Sequence, residues 1–260
     1  MSNELAKVIT GEIDRAVAAL DTMCDGVPRH VEDAPTARML PFANRFAAGR
    51  LLGRALDHHK GSDALVLGLA CGGLVVGEGV VDEIGLQLDT WLARRLVSPV
   101  HPGLVLGAIS EGSGVVVDRA AIATSELSRN QLRALAKDAA EEMAADARRY
   151  RRGRGAPPLR GRTAILCDEA VLTGATLAAA IGGVRKRGAA RVIVATPVGA
   201  ADAIGQLREL ADEVVCLAMP ERLRRVGAWY TSFHAIGERT VVRILDHSGS
   251  QNGAAGRAIA

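Results

Sequence analysis

Two acids stand side by side at Asp168-Glu169, and Thr173-Gly174-Ala175-Thr176 follows closely. Adjacent carboxylates suit vicinal hydroxyls, or a metal held between hydroxyls and phosphates. A glycine flanked by threonine hydroxyls suits a phosphate: the backbone comes close and the hydroxyls donate. A sugar phosphate fits both halves at once. The residues on either side say how these groups are positioned. Ala164 to Cys167 is an apolar run short enough for a buried strand, and the Ala-rich segment after Thr176 reads as a helix. The loop therefore opens a helix, whose free N–H groups and dipole attract an anion. The competing reading is an ordinary strand–loop–helix joint with the acids as caps.

A second small-residue stretch is A-L-V-L-G-L-A-C-G-G-L-V-V-G (Ala64 to Gly77). It reads as a strand, a glycine turn at Cys71-Gly72-Gly73, and a helix from about Val75 to Ile84. Cys71 is either a thiolate at a helix start or a small residue filling a tight turn. Leu88 to Leu96 reads as a third strand, ending in Arg94 and Arg95.

The central stretch resembles the signature of the type I phosphoribosyltransferases: four apolar residues, two acids, three variable residues, then T-G-x-T. Here these are A-I-L-C, D-E, A-V-L and T-G-A-T, with Glu169 where the second acid is usually Asp. F-A-N-R-F-A-A-G-R-L-L (Phe42 to Leu52) is similar to the opening of one branch of that family, with Asn44 for Asp. That branch usually has P-R-G-G where Ala70-Cys71-Gly72-Gly73 stands, and an Arg-Lys pair where Arg94-Arg95 stands. G-x-P-x-N-P-E-x-A-x-G-A-I becomes V-S-P-V-H-P-G-L-V-L-G-A-I, so His101 replaces Asn and Gly103 replaces Glu. His101 is read as a general base or a solvated loop residue.

The resemblance covers about residues 40–245 and implies a magnesium-dependent phosphoribosyltransferase. Phosphoribosyl pyrophosphate is then expected with its 5′-phosphate on Ala170, Leu172, Thr173, Gly174, Ala175 and Thr176. Its ribose hydroxyls fall to Asp168 and Glu169, which are the catalytic candidates and hold the metal indirectly. The leaving pyrophosphate falls to Cys71, Gly72, Gly73, Arg94 and Arg95. The acceptor is an unnamed nitrogen nucleophile, and a homo-oligomer is expected. A non-catalytic protein sensing a nucleotide or phosphoribosyl pyrophosphate on the same fold is the rival reading. Cys71, Glu169 and Gly103 lean towards it.

Composition sets the outer limits. Hydrophobic residues make up 48% of 260, but aromatics only 3%, so aliphatic side chains must fill the core. A net charge of +3 is too small to argue for nucleic acid. Cys24, Cys71, Cys167 and Cys216 have no metal-ligand spacing. With neither a signal segment nor 18 consecutive apolar residues, a soluble cytoplasmic protein without membrane contact is expected.

Apolar strands separated by single helices predict an α/β fold, a parallel central sheet with helices on both faces and ligands at the strands' carboxyl ends. The chain divides into a helical N-terminal extension (1–39, with a helix over Glu4 to Met23), a phosphoribosyltransferase-like domain (40–247) and a disordered tail (248–260). The extension is read as a hood element, a dimer contact or a loose arm. His58 and His59 end a helix over Arg45 to His59 and read as solvated. Ser128 caps a long helix to Arg152, whose basic tail R-R-Y-R-R-G-R (148–154) is a favourable helix end, a nucleic-acid patch or a mobile lid. Thr240 to Leu245 reads as a last short helix. Trp229 and Tyr230 either line an acceptor pocket or anchor the C-terminal segment on the core.

Overall fold

The computed structural model describes residues 41–221 and 223–255, with Gly11 besides. The expected helix Glu4 to Met23, the linker after it and Cys24 lie outside the described residues, Gly11 apart. Five strands form one parallel sheet in the order β2-β1-β6-β7-β8: β1 (Leu65–Leu69), β2 (Gln87–Trp91), β6 (Thr163–Cys167), β7 (Arg191–Val198) and β8 (Glu213–Ala218). Side chains alternate along each strand; the inner strands β1, β6 and β7 are buried on both faces nearly throughout, and the edge strands β2 and β8 only in part. Val66, Ile165, Cys167, Ile193 and Ala195 join one core, under α1 (Arg45–Ala55) and α2 (Ala70–Ile84). Leu65, Leu67, Ala164, Leu166, Val192 and Val194 join the other, under α5 (Ala175–Lys186) and α6 (Ala201–Arg208). The expected α/β architecture is the observed one.

The stretch Leu88 to Leu96 departs from expectation. It is two strands: β2 ends at Trp91, and β3 (Ala93–Val97) starts an antiparallel sheet with β4 (Val105–Ser110) and β5 (Gly114–Val117). The chain changes sheet at Leu92, where a carboxylate holds it. Leu92 donates its N–H to Glu111 Oε2 (3.0 Å), and the Glu111 N–H donates to the Leu92 carbonyl (2.9 Å). Sequence alternation continues through the switch, so periodicity alone does not reveal it.

The small sheet lies against α5 and against α4 (Arg129–Arg151), which follows the short helix α3 (Arg119–Thr124). Ser128 caps α4 in a reciprocal capping box with Gln131, as expected. The last helix, α7 (Glu238–Ala255), is longer than Thr240 to Leu245 and runs into the segment read as a disordered tail. Its buried Val241, Ile244 and Leu245 follow the helical period and dock on the core shared with α2 and α4. None of the described helices is long and apolar enough to cross a membrane.

Candidate functional site

The loop after β6 brings the signature together at the sheet's carboxyl end. Gly174 has φ +74°, a conformation that L side chains avoid, and it is the N-cap of α5. It has no side chain to cap the helix, so first-turn N–H groups stay available to an anion. Thr173 is exposed and Thr176 partly so. Cys71, Arg94, Arg95, Asp168, Glu169, Ala170, Leu172, Thr173, Gly174 and Thr176 line one cleft of about 610 Å³. Ala175 faces a second, smaller cavity of about 430 Å³ behind the loop.

Asp168 is the more deeply set acid. Burial first, and the Glu169 carboxylate second, push its carboxyl well above the ordinary value, while Arg95 pulls it down. Glu169 reaches across to α2. A Cβ added at Gly72 would overlap the Glu169 carboxylate, and one at Gly73 would overlap the Cys167 carbonyl. These two glycines do not form a turn ahead of the helix. They lie in the first turn of α2, which begins at Ala70 rather than Val75. Neither residue needs a positive φ here; each is glycine because β6 and the acid loop approach so closely.

Arg45 backs Glu169 from the other side and was not a candidate from sequence, although it stands in the quoted opening motif. It is buried, with Nη2 3.9 Å from Glu169 Oε1, Nη1 donating to the His234 carbonyl (2.9 Å), and its guanidinium 3.6 Å over the Phe233 ring. The Tyr230 hydroxyl donates to the Glu169 backbone carbonyl (2.5 Å). Glu169 is therefore held at backbone and side chain.

The arginine pair divides. Both side chains line the cleft, but their partners differ. Arg94 reaches α4, pairing with Glu142 (2.6 Å) and with Asp146. Arg95 is exposed at the cleft, and no ion pair binds it among the described residues. Met143, Asp146 and Tyr150 share one face of α4 and complete the cleft wall, with Tyr150 Oη 3.8 Å from Cys71 Sγ. The 143/146/150 spacing is a helical stripe, the sequence signal for this wall. Burial and then Cys71 push the Tyr150 hydroxyl up.

Three arginines in the basic tail of α4 are tied to carboxylates. Arg151 is 4% exposed and forks onto Glu111, Nη1 to Oε1 at 2.5 Å and Nη2 to Oε2 at 2.8 Å, with Nη2 also on the Thr90 carbonyl (2.7 Å). Arg149 pairs with Asp146, and Arg152 with Asp246. Trp229 and Tyr230 do not line the cleft; Val226 does. Tyr230 is buried against Phe42 and Phe233, so it anchors the C-terminal segment. His101 sits exposed on the hairpin between β3 and β4, away from the cleft.

A parallel sheet, a paired-acid loop and a phosphate-type helix start at its carboxyl end define a type I phosphoribosyltransferase-like protein. Residues 43–228 match the family described as the phosphoribosyl transferase domain, and the chain belongs to that family. It is 36% identical over 207 residues to the Mycobacterium tuberculosis proteins named "Putative phosphoribosyl transferase" MT0597 (strain CDC 1551 / Oshkosh) and Rv0571c (strain H37Rv). Those matches cover 80% of this chain and 47% of the relatives, so the chain spans about half the length of the curated relatives it matches. The crystal structure of TT1426 from Thermus thermophilus is similar at TM-score 0.67 and 35% identity, over 79% of this chain and 98% of that one.

Proposed function

We propose that the cleft binds phosphoribosyl pyrophosphate and passes the phosphoribosyl group to a nitrogen acceptor. The observation that carries this reading is one cleft holding both Asp168-Glu169 and the uncapped start of α5 at Gly174. The 5′-phosphate rests on the first-turn N–H groups of α5 and the Thr173 and Thr176 hydroxyls. Asp168 and Glu169 take the ribose hydroxyls. The nitrogen lone pair attacks C1′ as its bond to the pyrophosphate oxygen breaks, and the electron pair leaves with pyrophosphate. Arg95, exposed at the cleft and in no ion pair among the described residues, is the group best placed to absorb that charge. The donor set suits Mg²⁺: two adjacent carboxylates, one of them disfavoured as an anion by its burial and its neighbour. Asp168 and Glu169 would hold it, through the ribose hydroxyls. When bound, Mg²⁺ supplies positive charge against the leaving group.

The test is release of pyrophosphate from phosphoribosyl pyrophosphate and Mg²⁺ with purine, pyrimidine and amine acceptors supplied in turn. Acceptor-dependent release by the wild type, lost in Asp168→Asn, is the expected result. A second reading has a specific observation behind it. The Glu169 carboxylate covers Gly72, Cys71 brings no charge, and Arg94 is already paired. All three weaken the pyrophosphate side, as in a protein that binds a ribose 5-phosphate ligand without turnover. Tight ribose 5-phosphate binding with no pyrophosphate release under any acceptor favours this sensor reading over the enzyme.

A further inference from the structure

The end of the sheet remote from the cleft holds a second group of chemically capable side chains. His58 and His59 close the 3-10 turn Asp57–His59 after α1. Because α1 packs on β7 and β8, the turn is carried to the start of β8, where Glu213 is the first residue. Both imidazoles aim Nε2 at one carboxylate: His58 Nε2 is 3.1 Å from Glu213 Oε1, and His59 Nε2 is 3.4 Å from Oε2. The three ligand atoms all lie within 4.8 Å of one another.

The shorter separation is an ordinary hydrogen bond and the longer a weak one, so the geometry leaves room for an ion between the groups. Bonds of about 2.0–2.1 Å in tetrahedral geometry set ligand atoms roughly 3.3–3.4 Å apart, the His59–Glu213 separation as it stands and a small adjustment for His58. The surroundings are asymmetric in the way that a partly open site requires. The His59 side chain is 10% exposed and that of His58 55% exposed, so one side is closed by protein and the other open to water. Arg191 Nη2 lies 3.8 Å from Glu213 Oε2. It orients the carboxylate and also opposes an added cation, which moderates affinity.

We propose that His58, His59 and Glu213 form a zinc-class metal site that ties the end of α1 to β8, independent of the cleft. Two imidazole nitrogens with a carboxylate select borderline transition ions, whereas Mg²⁺ prefers an all-oxygen shell. The site sits at the strands' N-terminal ends, so its role is structural. A bound ion joins the turn after α1 directly to the first residue of β8.

Isothermal titration of Zn²⁺ and of Mg²⁺ into the full chain tests this, with melting followed in parallel. His58 is exposed, so His58→Ala spares the core, and Glu213→Gln keeps the shape while weakening the ligand. The wild type should take up one Zn²⁺ that raises Tm, with no response to Mg²⁺ at this group. Both variants should lose at least about tenfold in zinc affinity, since even partners outside the first ligand shell cost that much when removed. The rise in Tm should go with it. No zinc uptake by the wild type, or equal uptake by both variants, overturns the proposal. Neither outcome bears on pyrophosphate release at the other end of the sheet, so the two readings fail separately.

Discussion

On the proposed function, Glu169 decides how much of a donor this cleft can hold. Where the resembling family carries the shorter aspartate, this chain has a carboxylate long enough to pack over Gly72. Glu169→Asp should withdraw it by one methylene and raise pyrophosphate affinity with ribose 5-phosphate affinity unchanged. Cys71→Arg should add a forked, charge-assisted contact of ~1.5 kcal/mol, about tenfold in affinity. Titration calorimetry with both ligands reads both variants; unchanged pyrophosphate affinity in each would place that anion away from α2. Asp168 gives a prediction of opposite sense for stability. Its folded pKa is raised by burial and by Glu169, so between the ordinary carboxylate value and the raised one the folded state binds the extra proton. Stability therefore falls as pH climbs through that window. Asp168→Asn should melt higher than wild type near neutral pH, with the gap closing in acid, while ribose 5-phosphate binding is lost. A lower Tm at neutral pH would mean that a further partner compensates the carboxylate.

At the scale of elements, the pin that holds the small sheet is the Arg151–Glu111 pair. It fixes the end of α4 to the point where the chain passes from β2 to β3, and so sets where Arg94 and Arg95 project. Breaking a buried pair from one side leaves an uncompensated charge, so Arg151→Ala should cost about 3–5 kcal/mol. Arg151→Met with Glu111→Leu should recover much of this, but not all: the Leu92 N–H loses its acceptor, worth about 1–3 kcal/mol when buried. Urea unfolding of the three proteins checks this, and an Arg151→Ala protein as stable as wild type would remove the pin. The same pair shows what sequence could and could not reveal. Strands β1, β6 and β7 were legible because both faces are buried and the runs are continuously apolar, and the edge strand β8 through its apolar run alone. The cradle was legible because its residues are neighbours in the chain. Arg151 and Glu111 are 40 residues apart, and nothing local marks either one as buried. An arginine run at a helix end reads as solvated until a distant carboxylate is found for it. Likewise Gly72-Gly73 read as a turn because glycine is commonest there, whereas close approach of β6 is what demands it. Arg45 and the α4 stripe were visible as letters, but only the fold sets Arg45 behind Glu169 and turns the stripe towards the cleft.

For the molecule as a whole, the chemically capable side chains gather at the two ends of the sheet. Carboxyl ends of β1, β2 and β6 meet the cleft, while the start of β8 and the turn after α1 carry the histidine–glutamate group. Helices on both faces fill the space between with aliphatic side chains, so the two ends share a rigid frame with an apolar interior. Ligand protection from hydrogen exchange should then be confined to one end. Ribose 5-phosphate should slow exchange at Thr173 to Leu177 and beside Asp168-Glu169, and leave Asp57 to His59 and the start of β8 unchanged. Pyrophosphate should protect the first turn of α2 weakly, because Glu169 is already packed there. Gly174→Val supplies the control. Its φ of +74° costs a β-branched residue about 1–2 kcal/mol, and the added side chain meets Ala203 and Leu207 of α6, so the loop backbone that would meet the phosphate must shift. The variant should fold, melt slightly lower, and show no ribose 5-phosphate protection at either end. Protection of Thr173 to Leu177 that survives in a folded Gly174→Val protein would place the phosphate elsewhere. The paired acids would then be reading a different ligand from the one that the loop's geometry suggests.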